Sequence, residues 1–250
     1  MIVSYGEEGW QIVTQRAHGL LAAQLAMQWK VKDRPARWVE TLLAIAGHDD
    51  AEVELDGENL LTEQGGPLNF NMKVFDLVYC QKLAALSITK SRYIALFTSM
   101  HMNFLYKEEA AAASFLKEQK KLREIWRKEL GLKKEECENI YCLLEWCDAF
   151  SLLLCQDQLQ PEHRSIEIST GPDNNKFHLV KMDEERLTIY PWPFEVPSLK
   201  VYFETRVIEK LQFKSSAEFR KAFYKAPVNE IRWELLESKL PLEKNKKSKV

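Results

Sequence analysis

The sequence predicts a mainly α-helical chain carrying a small antiparallel β-sheet, formed by an N-terminal hairpin and the C-terminal region. Three observations predict it. Gly and Pro are sparse from Trp10 to about Gln160, then cluster from Pro161 to Pro197. Apolar residues in the middle recur at helical spacing. Short β-prone runs separated by polar turns occupy the two ends. A β-meander alone leaves one face wet, and the N-terminal hairpin would complete its sheet. Residues 1–250 therefore read as a single compact unit. Its helical core spans 14–156, its β appendage spans 1–13 and 161–212, and its basic tail, 244–250 (KNKKSKV), reads as disordered.

Each element has its own signal. Residues 2–5 and 10–13 flank Tyr5-Gly6-Glu7-Glu8-Gly9 as a hairpin. From Thr14 or Gln15 to about Lys30 the pattern is helical, with His18, Leu21, Ala22 and Leu25 on one face. A second helix runs from about Pro35, a residue that suits a first turn, to His48. The stretch 49–71 is acidic, then Gly/Pro-rich, and reads as a long loop of the kind that often carries function. Helices follow at about 71–87, 90–106, 107–130 and 134–156, the last stopped by Pro161. Strands are expected near 164–169, 177–182, 186–190 and 199–211, with turns at Asp173-Asn174-Asn175 and Asp183-Glu184-Glu185. A last helix, 215–225, opens on Ser215-Ser216 as a cap. Trp192, between two prolines, reads as a rigid bend packed on the helices, or as a lid.

Composition excludes several classes. Lys plus Arg number 35 against 37 Asp plus Glu, so no basic field exists to hold a nucleic-acid polymer. No apolar run reaches the roughly 18 residues of a membrane span. Five cysteines without a CxxC pair argue against a disulfide framework and against a zinc ribbon. With no basic-then-apolar leader at MIVSYGEEGW, a reducing, cytoplasmic compartment is expected. There is no Walker loop, no GxGxxG and no nucleophile elbow.

The informative residues are ionisable groups on apolar helix faces. His18, His48, His101 and Asp148 each sit on the apolar side of a different helix, and Asp49 directly follows His48. A buried Asp costs several kcal/mol unless its charge is paired or bound to metal. No Lys or Arg lies between Lys134 and Gln156 to pair with Asp148 along its own helix. Arg16 or Arg92 would serve Asp148 taken alone. One divalent cation at the helix junction would satisfy His18, His48, Asp49 and Asp148 together.

A His on one helix, a His-Asp pair ending a second and an Asp on a late helix resemble the HD-domain superfamily of metal-dependent phosphohydrolases. The resemblance covers about residues 14–156 and implies an HD-like helical bundle. The segments TQRAHGLLAAQLA, AGHDD, PLNF and SMHMNFLY also look like an uncharacterised bacterial family of HD type, for which the resemblance supplies no activity. Relatives of HD type are often dimers, so a homodimer is an open expectation.

Mixed nitrogen and oxygen donors suit one divalent transition metal ion, Mn, Fe, Co, Ni or Zn, better than calcium. An ion with an open position lowers the pKa of its bound water and polarises a phosphoryl oxygen. The expected function is hydrolysis of a small phosphate ester, a small nucleotide among the candidates. The alternatives are a non-catalytic HD-fold module with a structural ion, and a helical interaction protein using 107–130 as its partner surface. Glu52 is the candidate base, with Asp56 beyond it, although both also fit a solvated acidic loop. His101 is either a proton donor or phosphate ligand, or plain core. Gln15 and Glu145 could orient a ligand or substrate. Arg16, Lys90 and Arg92 are candidate phosphate contacts. Cys147, His163 and His178 read as structural or exposed.

Overall fold

The computed structural model describes residues 1–51 and 54–238. The chain starts as a hairpin, β1 (Ile2–Gly6) and β2 (Gly9–Val13), and turns directly into α1 (Gln15–Met27), whose first turn is capped by the Thr14 hydroxyl accepting from the Ala17 amide. The second helix, α2 (Trp38–Ala46), is shorter at both ends than its periodicity suggests. Pro35 lies before it, and Gly47 ends it, so His48 and Asp49 stand just beyond its C-terminus. The segment to Phe75 carries two 3-10 turns and a bridge between Leu61 and Pro67 in place of long elements.

Helices α3 (Leu77–Lys90) and α4 (Arg92–Tyr106) start on Asp76 and Ser91, side-chain caps for the Tyr79 and Ile94 amides. The expected helix 71–87 therefore begins later, because Asp76 supplies the cap. The expected helix 107–130 begins as a 3-10 turn at Ala110–Ala112 and becomes α5 at Ala113–Glu129. α6 (Lys134–Cys155) is the longest helix and buries Trp146, Phe150 and Leu154. Among the described residues no helix is long and apolar enough to cross a membrane.

The expectation of a mainly α chain with a small antiparallel sheet is corrected by the strands. The chain is 49% helical and carries a curled, half-barrel sheet of seven strands. To the first hairpin it adds β3 (Ser165–Thr170), β4 (Lys176–Lys181), β5 (Arg186–Tyr190), β6 (Ser198–Ile208) and β7 (Val228–Leu236), in the order β1-β2-β6-β7-β5-β4-β3. The sheet is mixed, because β7 runs parallel to β5 while every other neighbour is antiparallel. β7 was not expected from the sequence at all. It inserts between β5 and β6 and makes one continuous sheet of what would be two pieces. Its cause is period-2 patterning: Ile231, Trp233 and Leu235 turn toward the core, while Glu230, Arg232 and Glu234 alternate with them. Between β6 and β7 lies α7 (Ser216–Lys225), capped by Ser215. The tail 244–250 lies outside the described residues.

The sheet and the helices share one apolar interior. Trp29 and Trp146 meet edge-on at 5.1 Å, and Trp146 meets Phe177 of β4 at 5.1 Å. Trp192 belongs to this interior, its indole N–H donating to the Val196 carbonyl at 2.9 Å, so it is the packed bend and not a lid. Gln24 of α1 bonds both the amide and the carbonyl of Tyr202, occupying β6 where β2 no longer pairs with it. All five cysteines are free thiols.

Gly19 sets the approach of α1 to α2. A Cβ there would lie 2.5 Å from the Ala46 carbonyl oxygen, which is backbone and cannot yield. That contact sits one residue from His18 and two from His48. Gly19→Ala is expected to cost about 1–3 kcal/mol by overpacking. Chemical denaturation measures this, and a neutral result would show that the helices are free to part.

Candidate metal centre

Four elements deliver the ionisable groups to one point. His18 comes from the second turn of α1, His101 from α4 and Asp148 from α6, while His48 and Asp49 follow α2. The rings of His18 and His48 meet at 4.9 Å, and those of His48 and His101 at 4.8 Å. The three histidines are at most 1% exposed. The carboxylates form the solvent-facing side, with Asp49 18% and Asp148 11% exposed.

The hydrogen bonds behind the rings decide which nitrogen faces inward. His48 Nδ1 lies 2.7 Å from the Ile45 carbonyl, one of the last α2 carbonyls without a helical partner. A carbonyl only accepts, so Nδ1 carries a proton and Nε2 of the neutral ring carries the lone pair. His18 Nδ1 lies 2.9 Å from the Ser151 hydroxyl, which itself donates to the Asp148 carbonyl at 2.8 Å. The hydroxyl proton is thereby committed, so His18 Nδ1 is the donor and its Nε2 is also bare. His101 Nδ1 stands 3.3 Å from the Tyr141 hydroxyl.

In the neutral rings the inward nitrogens therefore present their lone pairs to the carboxylates. His18 Nε2 is 3.6 Å and His48 Nε2 3.5 Å from Asp49 Oδ2. His101 Nε2 is 3.9 Å from both Asp49 Oδ1 and Asp148 Oδ2. His48 Nε2 approaches Asp148 Oδ1 to 3.2 Å, yet is not aligned to hydrogen-bond it; this atom and His18 Nε2 are both buried without a hydrogen-bond partner. Converging orphaned donors with two carboxylates are what a buried cation requires. Two overlapping groups fit an ion, His18-His48-Asp49 and His48-His101-Asp148, with their ligand atoms within 4.8 Å of one another. They share His48, whose single Nε2 lone pair serves one ion.

In the ion-free chain the electrostatics put a second proton on His48, at Nε2, where a metal ion would replace it. Burial alone would lower the pKa of His48, but the facing Asp49 and Asp148 charges raise it to about 10. Burial would raise Asp49 and Asp148, and the imidazoles, His48 foremost, instead hold both below the usual carboxylate range. His101 is pulled below the ordinary imidazole value by burial and by its neighbour His48.

The remaining sequence candidates separate. Gln15 donates to Asp49 Oδ2 at 3.0 Å and so touches a ligand directly. Glu52 lies outside the described residues, and Asp56 is exposed. The acidic loop is not merely solvated: Asp50 pairs with Arg16 at 2.5 Å, and Glu54 accepts from the Gln15 amide at 2.9 Å and faces the Met1 amino group. Arg92 is corrected. It sits at the start of α4, nine positions or roughly 13 Å of helix before His101, and is exposed and paired with Glu129 at 2.9 Å. Glu145, one turn before Asp148 on α6, accepts from Ser169 of β3 at 2.8 Å and so also ties the helix to the sheet. Lys90 stands close to Gly47 beside the dyad. Cys147 is buried core, His163 is exposed and His178 is half-buried in β4.

Sequence reasoning missed Ser151, Tyr141 and Tyr79, whose hydroxyl holds the Asp49 carbonyl at 2.7 Å. Ser151 and Tyr141 carried a signal: they lie three after and seven before Asp148, on its own helix face. A groove of about 540 Å³ between Asn59–Gly65 and Lys210–Ser216 shares no lining residue with the cluster.

The raised pKa of His48 fixes a pH dependence for the ion-free chain. Its contribution to stability is complete below the ordinary value of 6.5 and is lost as pH rises toward about 10. Thermal denaturation in chelator should therefore show wild type losing more stability than His48→Gln across that window. Parallel curves would mean that no proton is held at His48.

Comparison with known proteins adds a family without an activity. No curated protein and no solved structure matches the chain. The profile described as "Protein of unknown function (DUF3891)" matches residues 1–210, so the chain belongs to the DUF3891 family.

Proposed function

We propose that the protein is a metal-dependent hydrolase of phosphate esters. The observation that carries this reading is the pair of buried imidazole nitrogens without a hydrogen-bond partner, His18 Nε2 and His48 Nε2, facing two carboxylates in a nearly closed interior. The resemblance to the HD superfamily is part of the same proposal and rests on the same four residues.

His18, His48, Asp49 and Asp148 would hold one divalent transition metal ion, and His101 Nε2 is positioned to join them. Such an ion supplies a Lewis acid for a phosphoryl oxygen and lowers the pKa of water. The chain's own residues do the rest. Ser151 and the Ile45 carbonyl keep the His18 and His48 protons on Nδ1. Gln15 holds one Asp49 oxygen, and Tyr141 steadies His101. Closure around the three rings excludes water from every side but that of the carboxylates. Glu52, three positions after Asp49, remains the proposed base.

That closure also favours the second reading, a binding module with a structural ion. The two differ in turnover. Protein purified without chelator is expected to carry one ion per chain and to cleave members of a phosphate-ester panel under at least one divalent ion. His48→Ala and Asp49→Ala should lose both properties. A bound ion with no turnover across the panel selects the structural module, and ion-free protein rejects both.

Ser151→Ala is expected to weaken metal affinity about 10–100-fold while leaving all four ligands in place. Competition against a chelating dye measures it, and an unchanged affinity would remove Ser151 from the centre.

A further inference from the structure

A second cavity, of about 340 Å³, lies between α4, α5 and α6, next to the metal centre. Each helix lines it with one stripe at helical spacing, such as Lys120, Arg123 and Arg127 on α5. On α6 the stripe ends at Tyr141, whose hydroxyl meets His101. On α4 it includes Phe104, whose ring stacks on His101 at 6.2 Å. Tyr141 and Phe104 thus form the wall between the cavity and the histidines.

The charge in this cavity is unbalanced. Its lining includes five cations and two carboxylates. Both carboxylates are committed, Glu124 to Arg127 at 2.9 Å and Glu138 to Lys134 at 3.4 Å. Lys107, Lys120 and Arg123 are left with no carboxylate within ion-pair distance among the described residues. Arg123 is half-buried and donates only to neutral acceptors, the Ser99 carbonyl at 2.9 Å, the Ser99 hydroxyl and the Asn103 amide oxygen at 3.2 Å. Burial draws its pKa below the ordinary guanidinium value, with Glu124 opposing. Arg127 Nε is buried without a partner. A desolvated guanidinium among neutral dipoles is stabilised by an anion. Apart from Asn103, whose amide oxygen accepts from Arg123, the rest of the lining, with Leu96, Met100, Phe104 and Tyr141, is apolar or aromatic. The volume falls in the roughly 300–1,000 Å³ range of small-molecule sites.

We infer that this cavity binds a small organic phosphate, its dianion held by Arg123, Lys107 and Lys120 and its planar or apolar body laid against Phe104 and Tyr141. The inference rests on the metal-centre reading only for its consequence: the occupant is either the hydrolase's own substrate or an effector that acts on His101 through Tyr141.

The test uses phenylphosphonate, a non-hydrolysable dianion on an aromatic ring, with benzyl alcohol as the uncharged control, titrated calorimetrically into the full chain. Phenylphosphonate is expected to bind the chelator-treated protein, and benzyl alcohol is not. Arg123→Met should weaken binding about tenfold. Because Arg123 also ties α5 to α4, the doubly substituted Lys107→Gln, Lys120→Gln chain is measured beside it. Both lysines are exposed, and their loss should weaken binding several-fold. Lys200→Gln, on β6, should leave binding unchanged.

Failure to bind, or an affinity indifferent to the Arg123 and lysine substitutions, overturns the inference. Binding seen only with the ion-loaded chain moves the ligand to the metal centre, overturning the inference while sparing the hydrolase reading. Binding by a chain that takes up no ion sustains the cavity and rejects the hydrolase. With an active chain and p-nitrophenyl phosphate, competitive inhibition by phenylphosphonate identifies the substrate's own site. A change in turnover without competition identifies an effector site, and either result supports the inference.

Discussion

Two carboxylates held in a dry helical junction are the constraint around which the rest of the molecule is arranged. Among the described residues Asp49 and Asp148 have no Lys or Arg ion-pair partner; what faces them is imidazole. Imidazole is a compensating cation only while it holds an extra proton, and each inward ring already spends its Nδ1 on a neighbouring oxygen. The inward nitrogens are therefore free to exchange a proton for a metal ion. The helix packing follows from this need. α1 carries glycine where it touches the α2 backbone, α2 stops at Gly47 so that its end carbonyls meet His48, and the α3 hydroxyl of Tyr79 ties down Asp49.

The sheet matters to this centre through α6. Asp148 must be held against three rings from other segments, and α6 is fixed on its opposite side by Trp146 against Trp29 and Phe177, while Glu145, nearer to Asp148, ties the helix to β3 through Ser169. A helix anchored on one face can present an unfavourable charge on the other without rotating away from it. The large curled sheet is thus part of what stabilises a buried Asp.

The sequence was most legible where polarity contradicted location. His18, His48, His101 and Asp148 stood out because each interrupts an apolar helical stripe, and it is their occurrence together, not any one of them, that pointed to a shared cation. The strand β7 was overlooked for the converse reason: its alternating Glu, Arg and Glu mask Ile231, Trp233 and Leu235, and its parallel pairing with β5 is set by the tertiary fold alone. Arg92 was a candidate by its position in the chain, but it opens α4 nine residues before His101 on the same helix, and so stands away from the cluster. Arg123 was passed over because α5 reads as a solvated Lys/Glu face. Only packing reveals that one stripe of it meets α4 and α6.

That stripe changes how α6 is understood. Counting along one face, Lys134, Cys137 and Tyr141 line the cavity, and Asp148 lies two turns further on, at the His/Asp cluster. Tyr141 is the shared residue, bordering the cavity and bonded to His101. Its burial raises the phenol's pKa well above the ordinary value, so it stays protonated and can act as donor or acceptor toward His101 Nδ1. An anion in the cavity would draw the phenol proton toward itself and leave the phenol oxygen to accept from Nδ1–H, which frees His101 Nε2 as a lone pair facing Asp49 and Asp148. An empty cavity carries no such bias. One hydroxyl thus borders the basic cavity and bonds the ring that faces Asp49 and Asp148, so a charge placed in the one would be felt at the other.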